Sequence, residues 1–301
     1  MTIAGVVTQH DIEAGLRALG ITPGARVMVH SSLKSFGHVE DGRPPLGGGP
    51  PLGGAAVVIA ALMAVITPQG TLMMPSFNHG SPFEPGGAGY YHPCETPTQN
   101  GAIPDLFWRM PGVRRSLDPT HPFACWGADS ARYIDHHHRT LTMGPQSPLG
   151  LLRADGGYAL LLGVGYESNT FHHVVEMSTG APCLGQRSEA YPVRLPDGRR
   201  VMGRTWGWRD GQCPINDAAI YAQDMAARGL QHTTQIGACR ATLFRLEDGF
   251  NVIAGLLRDG TGSLPPCQRC PIRPQRVPQT VASDWDAESQ KPLPDSEAWS
   301  Y

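Results

Sequence analysis

The fold is decided by ARVMVHSSLKSFG (25–37), AAVVIAALMAVI (55–66) and TLMMPSF (71–77). The first and the last of these begin as short β-prone runs and end in polar loops. The middle stretch is apolar along its whole length, which is typical of a buried helix. Strand, loop, helix and strand in this order indicate a crossover unit of an α/β protein.

Further segments extend the same pattern along the chain. YALLLGV (158–164) is continuously apolar, as expected of a central strand that is covered on both faces. YPVRLPDGRRVM (191–202) predicts a hairpin with Asp197 and Gly198 in its turn. Helices are predicted at 8–19 (Thr8 as N-cap, Gly20 as stop), 55–66, 103–110, 130–138 and 249–257, and a strand or strand pair at 236–246.

Composition narrows the class of protein. The chain has 301 residues, 41% of them hydrophobic and 17% charged, so it can bury a large core. With 24 basic and 26 acidic residues, a protein that binds nucleic acid through bulk positive charge is not expected. The N-terminus lacks the pattern of a secretory signal, and no apolar run approaches the roughly 20 residues that cross a bilayer. These features predict a cytoplasmic protein with no membrane segment.

The most informative polar segment is NTFHHVVE (169–176), directly after the predicted central strand. If Thr170 caps a helix here, His173 and Glu176 are three residues apart and share one face. A carboxylate on one imidazole nitrogen fixes the tautomer and makes the other nitrogen a better base. Taken alone, this spacing also occurs in many ordinary helices.

Several motifs occur together in a fixed order. They are GITPGARVMVHSSLKSFG (20–37), GTLMMPSF (70–77), RRSLDPTHPFACWGADS (114–130), SPLGLL (147–152), LLLGVGYESNTFHHVVE (160–176) and IGACRATLFRLEDGFNVIAGLL (236–257). This succession resembles the aminoglycoside 3-N-acetyltransferases over residues 20–257. The resemblance implies an α/β fold with a mixed central sheet flanked by helices. It also implies transfer of acetyl from acetyl-CoA to an amine, with the 3-amino group of an aminoglycoside antibiotic as the first acceptor to test.

The resemblance also assigns catalytic roles. His173 corresponds to the general base and Glu176 to its carboxylate partner, so that the amine attacks the thioester directly. Ser76 follows the second strand and is a candidate donor to the developing oxyanion, although an ordinary turn serine explains it equally well.

Cofactor and acceptor contacts follow from the same resemblance. The predicted cofactor-binding residues are Ser31, Ser32, Leu33, Lys34, Ser35, Phe36 and Gly37, with Arg114 and Ser116 added for the phosphates. A solvated charge pair is the alternative interpretation of Arg114 and Arg115. A polycationic amine favours a cleft with carboxylates, and the candidates are Glu167 and Asp217, followed by Glu189, Asp210 and Asp224.

Other interpretations stay open at this point. The same fold serves amines that are not antibiotics, or binds CoA without turnover, and the sequence fits a monomer or a homodimer. No metal is expected, because three adjacent histidines (136–138) point in different directions and Cys267 and Cys270 lack two obvious further ligands. We expect one acetyltransferase domain over 1–264, built as a single body or as two tightly packed lobes, and a proline-rich tail over 265–301 that wraps the surface.

Overall fold

The computed structural model describes residues 5–42, 53–179, 187–207 and 218–259. The helices are α1 (Gln9–Ala18), α2 (Gly54–Ile66), α3 (Ala102–Phe107), α4 (Ser130–Ile134), α5 (Pro148–Ala154), α6 (Phe171–Thr179), α7 (Ala218–Ala227) and α8 (Leu246–Asp259). The strands are β1 (Arg26–Ser31), β2 (Thr71–Pro75), β3 (Arg114–Arg115), β4 (Phe123–Gly127), β5 (Tyr158–Leu162), β6 (Arg187–Arg194), β7 (Arg200–Gly207), β8 (Gln231–Ile236) and β9 (Cys239–Arg245). The predicted tail lies outside the described residues, and the division at residue 264 stays a prediction.

Seven strands form one mixed sheet in the order β3-β4-β2-β1-β5-β9-β8. β1 is parallel to both of its neighbours, β2 and β5, and the other pairs in this sheet are antiparallel. β6 and β7 form a separate two-stranded hairpin whose turn includes Asp197 and Gly198, as predicted. The predicted α/β fold with a mixed central sheet is confirmed.

Side chains alternate between two cores, one on each face of the sheet. Along β5, Ala159 and Leu161 point into one core, whereas Leu160 and Leu162 point into the other. The first core is completed by apolar residues of α4 to α8, and the second by those of α1 to α3. A strand buried on both faces accounts for the uninterrupted apolar run that marked this segment in the sequence.

Helix ends follow local chemistry where the sequence predicts them. Thr8 caps α1 in a reciprocal capping box with Asp11. Gly20 follows the helix with φ +95°, a conformation that glycine adopts without strain. The helix predicted over 130–138 is shorter than expected: α4 ends at Ile134 and a 3₁₀ turn follows at His137–Arg139.

The sheet brings three loops to one edge. β1, β2 and β5 are parallel, so their carboxyl ends meet at the same side of the sheet. The 3₁₀ turn Leu33–Phe36 follows β1, the segment around Phe77 follows β2, and the 3₁₀ turn Tyr166–Ser168 and helix α6 follow β5. In the part of the chain that the structure describes, every helix is too short or too polar to cross a membrane.

Candidate active site

The first turn of α6 is tied to the neighbouring strand. Asn169 Oδ1 accepts a hydrogen bond from the backbone N–H of Phe171 at 3.3 Å, so Asn169 rather than Thr170 satisfies a donor at the helix start. The backbone N–H of Thr170 donates to Nε2 of His30 at the end of β1, also at 3.3 Å. These contacts fix the position of the helix that carries the predicted base.

His173 and Glu176 are in direct contact. His173 Nδ1 lies 2.7 Å from Glu176 Oε2. The Glu176 side chain is completely buried, whereas that of His173 retains 29% of its exposure. An ionised carboxylate accepts hydrogen bonds only, so the proton of a neutral His173 resides on Nδ1 and Nε2 becomes the basic nitrogen.

Burial sets the charge of the surrounding imidazoles. It lowers the pKa of His30 and of His172 to about 3, and a neighbouring imidazole contributes in each case. Burial also lowers the pKa of His173, although a carboxylate at hydrogen-bond distance acts in the opposite direction. The direction set by burial leaves His173 neutral near pH 7, which is the state that a general base requires.

A cavity of about 210 Å³ opens in front of His173. Its other lining residues come from four loops at this edge of the sheet and from α6: Phe77, His79, Asn100, His121, Thr142, Met143, Glu167, Ser168, Thr170, His172 and Met177. Phe77 contacts His79 and His121 edge-on, with ring centroids 5.7 and 5.0 Å away. Four imidazoles and several apolar groups therefore surround one small space.

His121 is held by its own loop. Asp118 Oδ1 accepts hydrogen bonds from the backbone N–H groups of Thr120 and His121 at 3.0 and 2.7 Å. The hydroxyl of Thr120 lies 2.8 Å from Nδ1 of His121. Burial lowers the pKa of His121 to about 4, so its ring is also neutral at neutral pH.

A second, larger groove of about 830 Å³ adjoins the cavity. Ser32 and Ser35 line it, together with residues 163–167, Arg240 and one face of α7. Glu167 lines both spaces, so the groove and the cavity meet at this residue. A long ligand lying in the groove can thus extend one end toward His173.

The loop predicted to bind the cofactor divides into exposed and buried parts. Ser32 and Ser35 face the groove, and Ser35 Oγ donates to the carbonyl of Ser32 at 2.7 Å. Phe36 is a core residue and Leu33 packs partly against the same core. Lys34 and Gly37 are exposed, and Ser31 at the end of β1 is partly buried.

Three predicted site residues have side chains outside the cavity and the adjoining groove. Ser76 and Ser116 are completely buried. The hydroxyl of Ser116 is occupied, because it accepts from the N–H of Phe123 and contacts His137 Nδ1, both at 2.8 Å. The exposed Arg114 pairs with Asp135 and lines a separate groove beside Trp108. None of the three residues lines the cavity or the adjoining groove, and the roles assigned to Ser76, Ser116 and Arg114 stay predictions.

The acidic residues predicted to contact the acceptor lie in different surroundings. Glu167 lies where the two spaces meet, and its Oε1 accepts from the N–H of Gly165 at 2.9 Å. Asp224 is paired with Arg228 at 2.7 Å. Asp210 and Asp217 lie outside the described residues, as does the side chain of Glu189.

In the histidine run 136–138, both ring nitrogens of the middle residue are hydrogen-bonded. His137 is buried, and its two nitrogens contact the hydroxyl of Ser116 and the carbonyl of Thr142, each at 2.8 Å. Cys267 and Cys270 are outside the described part of the chain.

Three histidines of the site were missed from the sequence: His30, His79 and His121. His30 looks like an ordinary strand residue, and only the pairing of β1 with β5 brings it to α6. His79 has a positive φ of 51°, a conformation that sequence does not reveal for histidine. The one available signal in the sequence was the position of His79 shortly after the buried strand β2, where a side chain can reach a site at the edge of the sheet.

Comparisons with known proteins point to one family and one fold. The family model described as aminoglycoside 3-N-acetyltransferase matches residues 28–258. Aminoglycoside N(3)-acetyltransferase IV from Salmonella sp is 37% identical over 232 residues, which are 76% of this chain and 79% of the relative. Aminoglycoside N(3)-acetyltransferase VII from Streptomyces paromomycinus is 31% identical over 271 residues, covering 81% and 89%. A mutant of aminoglycoside acetyltransferase AAC(3)-IVa, crystallised with gentamicin, aligns with a TM-score of 0.71 and 28% identity over 90% of this chain and 96% of its own.

Proposed function

The chain belongs to the aminoglycoside 3-N-acetyltransferase family, and from this premise we propose that it transfers acetyl from acetyl-CoA to the 3-amino group of an aminoglycoside. The observation that carries the proposal is the contact of 2.7 Å between His173 and Glu176 at the wall of a cavity that joins a long groove. The aminoglycoside acceptor is inferred from the names of the relatives, whereas the catalytic steps are inferred from the residues of this chain.

The groove suits the extended chain of CoA. Ser32 and Ser35 present polar groups after β1, and Arg240 on β9 adds a positive charge for phosphate. Gly163, at the end of β5, leaves room for the Ser35 side chain in this wall, because a Cβ at position 163 would lie 1.7 Å from Ser35 Oγ. With CoA in the groove, the thioester end is directed past Glu167 into the cavity.

His173 supplies the base for the acceptor amine. His173 first accepts a proton from the protonated acceptor amine, and the negative charge of Glu176 stabilises the resulting imidazolium. The neutral amine nitrogen then attacks the thioester carbonyl carbon. The carbon–sulfur bond breaks, and the leaving CoA thiolate takes the second proton from the nitrogen. We propose one direct transfer with no covalent acyl-enzyme, a route that the pairing of His173 with Glu176 supports.

Negative charge recruits the acceptor. Aminoglycosides carry several protonated amines, and carboxylates at the mouth of a cleft attract them. Glu167 is exposed at the junction of groove and cavity, in the position for such a contact. Asp217 stays a prediction of the same kind.

The test is the release of free CoA thiol from acetyl-CoA in the presence of a panel of aminoglycosides. Wild-type protein is compared with His173→Ala and with His136→Ala, a control at an exposed histidine. We expect turnover with acceptors that carry a 3-amino group, a loss of about 10²–10⁴-fold in the His173 variant and no loss in the control. Turnover that survives His173→Ala would remove the proposed base, and CoA binding without turnover on any amine would remove the proposed reaction.

A further inference from the structure

One group near the cavity places three side chains that can bind a metal ion in a small volume. Within residues 5–42, 53–179, 187–207 and 218–259, one cluster of three or more His, Cys, Asp or Glu side chains has ligand atoms that all lie within 4.8 Å of one another. It consists of His172, His173 and Glu176. Two imidazoles and a carboxylate form a donor set that binds Zn²⁺ in proteins, with a fourth position left for water or another ligand.

Helix geometry explains why adjacent histidines converge here. Glu176 follows His172 by four residues and His173 by three, and both spacings place side chains on one helix face. The carboxylate thus lies about one helical turn after both imidazoles, toward the C-terminus of α6. The two rings are themselves close, with centroids 4.0 Å apart.

One of the three ligand distances is near the value that a metal requires, and the other two are at most 4.8 Å. Tetrahedral Zn²⁺ with bonds of about 2.0–2.1 Å holds its ligand atoms about 3.3 Å apart. The His173 Nδ1 and Glu176 Oε2 atoms, now 2.7 Å apart, need to separate by only about half an ångström. His172 Nδ1 is buried and has no hydrogen-bond partner among the described residues. An ion therefore finds one unengaged imidazole nitrogen beside the dyad, and both histidines line the cavity through which it would enter.

We propose that His172, His173 and Glu176 form an inhibitory site for a divalent transition-metal ion of the Zn²⁺ class. The ion binds Nδ1 of His173 and displaces the proton that this nitrogen shares with Glu176. A neutral imidazole carries one N–H proton, so the proton then resides on Nε2. Nε2 can no longer accept a proton from the acceptor amine, and transfer stops until the ion is removed. Binding of the ion is independent of the proposed function, whereas inhibition rests on it.

Metal binding is tested first, without reference to activity. Tag-free, chelator-treated protein is titrated with Co²⁺, and the visible absorption of tetrahedral cobalt is recorded, followed by displacement with Zn²⁺. The variants are His172→Phe and, in case that ring does not pack, His172→Asn. The control is His232→Asn, at an exposed position on β8. Thermal unfolding of every variant shows that it is folded.

We expect about one equivalent of Co²⁺ with tetrahedral bands in the wild type and the control, and an affinity about tenfold or more weaker in the His172 variants. Wild-type protein without visible bands, or a His172 variant that binds as the wild type does, would overturn the site.

Inhibition is then measured as thiol release at increasing Zn²⁺, each variant being compared with its own metal-free rate. The half-inhibitory concentration should rise in the His172 variants by the same factor as the Co²⁺ affinity falls, and a chelator should restore activity. If Co²⁺ binds as expected but Zn²⁺ leaves turnover unchanged, the inhibitory role fails while the site remains. A protein without turnover on any amine contradicts the proposed function and leaves the cobalt result to decide the site.

Discussion

Glu176 lies wholly inside the protein, although a carboxylate is costly to bury without a partner. Its contact with His173 at 2.7 Å compensates that cost and orients the imidazole. Replacing Glu176 with Gln keeps the volume but removes the charge that stabilises the imidazolium. We expect the turnover number to fall by about tenfold or more, and by less than in His173→Ala.

The measurement is steady-state turnover at saturating acceptor, together with thermal unfolding. Glu95→Gln, at an exposed glutamate, is the matched control. Turnover of Glu176→Gln at the wild-type level would show that the buried charge does not support the base.

Individual residues were predictable from sequence only where their chemistry is local. The contact between His173 and Glu176 follows from a spacing of three on one helix. The burial of Ser116 does not, because it depends on the pairing of β3 with β4 and on His137, 21 residues away. Ser76, directly after β2, is also buried, and its N–H donates to the carbonyl of Pro122 just before β4.

At the scale of elements, the end of β5 packs tightly on the 3₁₀ turn after β1. Gly163 has a φ of +67°, and a Cβ there would lie 1.7 Å from Ser35 Oγ. Gly163→Ala is therefore strained in its own backbone and also displaces Ser35 from the groove wall. We expect a loss of about 1–3 kcal/mol in the free energy of unfolding and a higher KM for acetyl-CoA.

Chemical denaturation and steady-state kinetics measure the two effects. Gly255→Ala on α8 is the matched control, because no atom lies within 4 Å of the added Cβ. That variant should be unchanged or more stable, since alanine favours a helix over glycine by about 0.5–1 kcal/mol. If Gly163→Ala is as stable as wild type and keeps its KM, the close packing of β5 on the turn is not a constraint.

Helices and strands with a clear hydrophobic pattern or a recognisable helix cap were predicted from the sequence. Short elements without such a pattern were not. The crossover unit, the central strand and the hairpin are confirmed. The strand or strand pair predicted over 236–246 corresponds to β9, and β8 was missed together with β3, β4, α5 and α7. β3 has two residues, and α5 has seven behind an initial proline. Segments this short gain their structure from long-range pairing rather than from propensity.

At the scale of the whole molecule, buried neutral histidines make the free energy of unfolding depend on pH. Burial lowers the pKa of His30 to about 3, below the value of about 6.5 in an unfolded chain. As the pH falls below about 6.5, the unfolded chain takes up the proton and the folded one does not, so stability present above that pH is lost. At pH 5 the loss from His30 amounts to about 2 kcal/mol.

The predicted result is a smaller fall in unfolding free energy between about pH 7 and 5 in His30→Gln than in the wild type. Denaturant titrations at both pH values measure it, with His136→Gln as the exposed control. A fall of equal size in His30→Gln would show that His30 is not held neutral by the fold.

The fold class of the whole molecule was predictable from the sequence, but the order of the strands in the sheet was not. Composition and motif order indicated an α/β protein of this family. The gathering of His30, His79, His121 and His173 at one edge depends on which strands are neighbours in the sheet. No local pattern specifies that order.

The central claim is that His173 removes a proton from the acceptor amine. The most direct test is the ratio of wild-type to His173→Ala turnover with one aminoglycoside acceptor, followed from about pH 7 to about pH 9.5. The account predicts a ratio of about 10²–10⁴ at the lower pH, which shrinks as the amine loses its proton without help from the enzyme. A ratio near one, or a large ratio that does not change with pH, would contradict the role of His173 as the base.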